Sequence, residues 1–143
     1  MKRSPRPERG SVLMLMPAGV LIVLLLGAIS FDLSLLFLRQ RQASSVAVDV
    51  ANDLVSAAFD EQAFRATGAF ELDPALADRL GRSLVDRSDL GGEVVGFEVE
   101  VIGADSVRVR LTVRVDYVFA KIIPGAADGT TVTAHATAVA APG

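Results

Sequence analysis

The sequence contains no cysteine and no tryptophan, one histidine, one tyrosine and, in Lys2 and Lys121, two lysines. The absence of thiols excludes disulfides, thiolate metal sites and cysteine nucleophiles together. The single imidazole, His135, falls in a Thr-rich stretch with neither a cysteine nor a carboxylate at ligand spacing. It is therefore read as a surface residue of a strand, not as a metal ligand or a general base. Asp49 and Asp53 stand one helical turn apart and read as a solvated helix face, not as a catalytic carboxylate pair. No P-loop, GxGxxG, GxSxG or HExxH occurs. Nothing in the chain supports an enzyme, and no cofactor or metal is expected.

A second absence is local. Ser11 to Phe31, SVLMLMPAGVLIVLLLGAISF, holds no charged residue. As a helix at ~1.5 Å per residue this stretch is long enough to cross a bilayer. The formal net charge of the chain is -3. Residues 1–10 carry Lys2, Arg3, Arg6 and Arg9 against Glu8, a local +3, which leaves -6 for everything beyond the apolar stretch. An acidic outer part does not fit nucleic acid, because phosphate binding needs clustered Lys and Arg. The basic leader ahead of the span places the N-terminus in the cytoplasm and the remainder outside, by the positive-inside rule. Ala28-Ile29-Ser30 offers small residues at signal-peptidase spacing. The helical pattern runs past them unbroken, however, and the stretch is longer than a usual signal h-region, so it reads as a retained anchor.

Within the span, Pro17 implies a kink or a late helix start. Gly19 and Gly27 would let another helix approach closely. Asp32 marks the exit from the membrane. It should face the headgroups or pair with a basic group on a neighbouring protein.

The helical signal continues to about Asp60. After Arg39-Gln40-Arg41-Gln42, read as the exit into water, Ala43, Ala47, Val50, Ala51, Leu54 and Ala58 form one face and Ser45, Asp49, Asn52, Asp53, Ser56 and Asp60 the other. The alanines, Ala43, Ala47 and Ala51 above all, suit close packing against a sheet or a partner helix. A helix from Val12 to Asp60 would be roughly 70 Å long. An anchored receptor or enzyme would ordinarily have a flexible linker here, and this chain has none.

Residues 61–143 read as one small α+β domain. Glu61 to Leu72, with Gly68, is expected to hold the helix end and a loop, with Phe64 and Phe70 packing back on the stalk. Asp73-Pro74 opens a second helix, because Asp can accept from free N–H groups and Pro fits the first helical position. Its apolar face is Leu76, Leu80, Leu84 and Val85, and it ends near Ser88 before Gly91-Gly92. Period-two alternation then predicts strands containing Phe97, Val99 and Val101, and Val107 through Val115. A two-residue hairpin loop would set Val101 opposite Arg108. A three-residue loop, Gly103 to Asp105, pairs Val101 with Val107 and sets Glu100 against Arg108 and Glu98 against Arg110. The longer loop is therefore predicted. Phe119 to Thr130 is a connection, and Thr131 to Ala140 is a last strand with Val132, Ala134, Ala136 and Ala138 facing inward. The expected architecture is a long transmembrane-plus-stalk helix (11–31 and 32–60), a short second helix and a three-stranded antiparallel sheet packed on them.

Glu8-Arg9-Gly10, the apolar stretch, Phe31-Asp32-Leu33, Arg39-Gln40-Arg41, the Ala-rich helix and the closing Val132-Thr133-Ala134-His135-Ala136-Thr137-Ala138 together resemble TadE/TadG-like proteins. These are minor pseudopilins and related anchored components of Flp/Tad-type pili. The resemblance implies a pseudopilin-like fold and a structural role among other pilus or secretion-assembly membrane proteins. It makes Gly10-Ser11 a candidate cut site for a prepilin peptidase. In prepilins the fifth mature position is Glu; here it is Leu15, which moves the chain toward the TadG-like side, whose anchor remains uncut. The alternative reading is a single-pass extracytoplasmic binding or regulatory module unrelated to pili.

Overall fold

The computed structural model describes residues 9–58, 61–68 and 71–140. Its fold is α+β: a long N-terminal helix, two shorter helices and a three-stranded antiparallel sheet. Helix α1, Arg9–Ala57, is one unbroken element of 49 residues, roughly 70 Å in length. It starts ahead of Pro17, so the late start allowed by that residue does not occur. Residues 59–60, the expected end of the stalk, lie outside the described residues, as do residues 1–8 of the leader.

The region expected to hold the helix end and a loop contains a separate helix, α2, Glu61–Thr67, supported at its surface by an i,i+4 pair between Glu61 and Arg65. Phe64, on α2, is about half exposed and is not among the buried core residues. Phe70 lies outside the described residues. Helix α3, Pro74–Arg87, begins as anticipated: Asp73 Oδ1 accepts from the Ala75 and Leu76 N–H groups at 2.8 and 3.2 Å, and Pro74 occupies the first turn. Its most buried positions are Ala77, Gly81 and Val85, with Leu80 and Leu84 beside them. The apolar face is thus rotated toward the small residues. Gly81 allows the approach, since a Cβ there would lie 2.7 Å from Phe97 Cζ.

The strands are β1 (Glu93–Ile102), β2 (Ser106–Asp116) and β3 (Gly129–Val139), in the order β1-β2-β3. The hairpin has the three-residue loop, with Val101 opposite Val107, Glu100 opposite Arg108 and Glu98 opposite Arg110. Gly103 takes a φ of 69°, a left-handed conformation that glycine adopts without a Cβ clash. The register slips between Val94 and Gly96, so Val95 is bulged out of the ladder.

One face of the sheet is covered. Val107, Val109, Leu111, Val113 and Val115 of β2, with Val132, Ala134, Ala136 and Ala138 of β3, are buried together with Ala43, Ala47, Val50, Ala51 and Leu54 of α1. Helix α1 lies on β2 and β3, and α3 lies on β1 and against α1. Small side chains on both surfaces let helix and sheet approach closely, at the cost of less apolar area per residue.

Candidate functional site

Among the described residues no three His, Asp or Glu groups gather as a metal site. His135 is exposed on β3 opposite Arg110, and Asp49 and Asp53 are exposed on the solvent side of α1. The site that the fold builds is a junction, where α1 changes from an uncovered helix into the spine of a domain.

Asp32 is its centre. The residue is 6% exposed, the one buried charged side chain among the described residues. Its carboxylate accepts from main-chain N–H groups of its own chain 86 to 88 residues away, a partner the sequence did not suggest. Val118 N–H donates to Oδ1 at 2.9 Å and Ala120 N–H to Oδ2 at 2.9 Å. Phe119 N–H is shared between the two oxygens at 3.2 Å each. These donors open a single 3-10 turn, Ala120–Ile122, whose own N-cap residue Phe119 supplies no side-chain acceptor. Helix starts leave N–H groups unpaired, and here a carboxylate from a distant helix accepts them. Burying a carboxylate is costly unless its lone pairs are filled, and charge-assisted bonds of this kind fill them. Phe31 adds an edge-to-face contact with Phe119, with ring centroids 5.4 Å apart at 89°.

Two further polar groups tie α1 to the domain. Arg39 Nη1 donates to Gln42 Oε1 at 2.9 Å and to the Leu90 carbonyl at 3.4 Å. It lies over Gly91, whose φ is 55° and where a Cβ would come within 1.7 Å of Arg39 Nη1. Gln40 Nε2 donates to the Thr133 carbonyl at 3.2 Å. The segment read as an exit into water is therefore half buried at Arg39 and Gln40, which dock the sheet.

These contacts also fix polarity. Gln40 meets β3 at Thr133, which pairs with Thr112 of β2. Leu35 and Arg39 share a cleft of about 160 Å³ with Arg114, Val115 and Asp116. Asp32 meets residues 118–120. Strand β2 therefore runs antiparallel to α1, and the residues after it arrive beside the end of the apolar stretch.

The remaining predicted site residues separate into two groups. Ala43, Ala47 and Ala51 are buried against the sheet of their own chain, so this stripe is an internal packing surface and not a partner contact. Gly19 and Gly27 meet nothing: no atom lies within 4 Å of where a Cβ would stand. Gly10 and Ser11 lie in the first turn of α1. Sequence reasoning missed residues 118–120 altogether. Their contribution is main-chain N–H, and only the isolated carboxylate of Asp32 at the end of an apolar run hinted that a partner was needed.

No family model, no curated protein and no solved structure matches this chain. The apolar N-terminal half of α1 is long and apolar enough to cross a membrane, and it is almost wholly uncovered by the rest of the chain.

Proposed function

We propose that this chain is a single-pass, membrane-anchored structural component of a Flp/Tad-type pilus or a related secretion assembly. Its N-terminus is cytoplasmic and its α+β domain extracytoplasmic, and it acts by helix packing and protein docking. One observation carries this reading: the anchor and the spine of the domain are the same unbroken helix, and Asp32, Arg39 and Gln40 fasten the domain to it. A domain that only had to be tethered would tolerate a flexible link. A domain whose position must follow the packing of its anchor needs a rigid one.

The TadE/TadG-like resemblance supports the same assignment, and Leu15 in place of Glu favours an anchor that keeps its leader. Gly19 and Gly27 are available for neighbouring helices, because their surroundings are open. The outward face of the sheet offers the docking surface: Glu98, Glu100, Arg108, Arg110, Thr133 and Thr137 form a mixed-charge, hydroxyl-bearing plane, with Val139 exposed at its edge.

The test is genetic. Deletion in the native host should abolish piliation or the associated secretion. A chimaera carrying an unrelated apolar helix in place of residues 11–31 should reach the membrane yet fail to restore either. Unchanged piliation and secretion on deletion sink the proposal. A fully active chimaera shows that the helix serves only as a tether, which favours a binding or regulatory module.

A further inference from the structure

The connection between β2 and β3 is built in an unexpected way for a surface loop. Tyr117 N–H donates to the Asp128 carbonyl at 2.9 Å and closes its neck. Inside it, Ile122, Ile123 and Ala126 N–H groups donate to Phe119, Ala120 and Ile123 carbonyls at 3.0–3.1 Å. The loop is therefore compact and internally bonded, in the manner of an Ω-loop. Yet its outward side chains are apolar: Ile122 is 71% exposed and Ile123 52%, with Val118 and Phe119 also exposed beside them. A bonded loop that turns two isoleucines outward does not fit a purely aqueous setting, where polar tips prevail.

Position supplies the explanation. The Asp32 carboxylate and the Phe31–Phe119 contact hold this loop against the last residues of the uncharged stretch. Its apolar surface thereby continues the exposed apolar surface of α1, which includes Leu26, Ile29 and Phe31. Lys121, the one basic residue of the loop, stands exposed between Ala120 and Ile122. Apolar side chains flanking a lysine suit the boundary between headgroups and acyl chains.

We infer that residues 118–123 are a second membrane contact: the loop seats its isoleucines in the outer interfacial layer beside the point where α1 emerges. This rests on the reading of residues 11–31 as a bilayer span. The lipid contact fixes the domain from two points, the helix and the loop, and so sets its height and rotation against the membrane surface. Asp32 serves the same end, since it keeps the loop's opening N–H groups satisfied where water is scarce.

The absence of native cysteine makes the test direct. Three full-length variants, Leu24→Cys, Ile122→Cys and Ala104→Cys, are labelled with an environment-sensitive fluorophore. They are then reconstituted in vesicles of phosphatidylcholine and phosphatidylglycerol carrying nitroxide-labelled lipids. Leu24 reports the span, Ile122 the loop, and Ala104 the hairpin at the far end of β2. The expected result is deep quenching at Leu24, shallow but clear quenching with a blue-shifted emission at Ile122, and an aqueous spectrum at Ala104. Deep quenching at Leu24 with Ile122 as aqueous as Ala104 overturns the loop contact and leaves the span intact. Loss of quenching at Leu24 overturns the span itself, and the loop inference with it. A probe at Ile122 that is blue-shifted but untouched by lipid quenchers is covered by protein, which also overturns the inference.

Discussion

The two halves of α1 invert the usual relation between hydrophobicity and burial. From Leu15 to Phe31 the helix is built of leucine, valine and isoleucine, and the rest of the chain covers almost none of it; Leu24 is 65% exposed. From Asp32 to Ala57 it is built largely of alanine and polar residues, yet Ala43, Ala47 and Leu54 are 0% exposed. The more apolar half is the uncovered one. In water this arrangement would be unfavourable over the whole length of the first half, because each large exposed aliphatic side chain forgoes about 1.5–3 kcal/mol of burial. Asp32 is the first buried position along the described length of the helix, and exposed apolar side chains persist past it, at Phe37 and Leu38.

The largest expected effect follows from that contrast. Leu54→Ala removes a side chain enclosed by the sheet and should destabilise the domain by about 2–5 kcal/mol, whereas Leu24→Ala should change its stability by no more than about 0.5 kcal/mol. Urea unfolding of the full chain in detergent micelles, followed by the circular dichroism of the sheet, checks both. Similar losses for the two substitutions would mean that the upper helix is part of the folded core, and the contrast between the two halves would fall.

A smaller, local effect tests the junction. Asp32→Ala leaves the Val118, Phe119 and Ala120 N–H groups without their acceptor, and Asp32→Asn sets an amide donor against one of them. Amide exchange at these three positions should quicken roughly tenfold or more in the alanine variant, and less in the asparagine variant. The amides of the β2–β3 ladder should be unchanged. If the three amides stay protected without the carboxylate, the loop holds itself and Asp32 does not join the halves.

How far each region could be read from its residues follows the same division. The hairpin was legible to the residue, because only the three-residue loop sets valine against valine and glutamate against arginine. The start of α3 was legible because Asp73-Pro74 carries both a cap and a fixed φ. The stripe Ala43, Ala47, Ala51 was legible as a packing face, but its partner was not: helical periodicity identifies an apolar face without saying what covers it. The bulge at Val95 and helix α2 left no clear pattern. The Asp32 junction was hidden for a deeper reason. Its donors are main-chain groups that almost every residue possesses, and they come from a loop whose path depends on where β2 ends. Arg39 and Gln40 were misread similarly, since a polar run after a span is expected to face water and here meets the carbonyls of Leu90 and Thr133.

The smallest expected effect concerns carboxylates of the opposite kind. Glu98–Arg110 and Glu100–Arg108 span the outer face of the sheet at 2.9 and 3.1 Å, with every side chain about half exposed or more. Cross-strand pairs of this sort contribute roughly 0.2–1 kcal/mol each. A double-mutant cycle with Glu98→Ala and Arg110→Ala should return a coupling in that range, and the coupling should shrink as salt is raised, because the ions are screened over about 8 Å at physiological ionic strength. Exchange protection at residues 118–120 should hold across the same salt series, since Asp32 is buried and its donors are neutral amides. If instead salt releases the loop and leaves the Glu98–Arg110 coupling untouched, the two carboxylate environments have been assigned the wrong way round. The sheet face would then be the rigid, desolvated element and the junction the loose one.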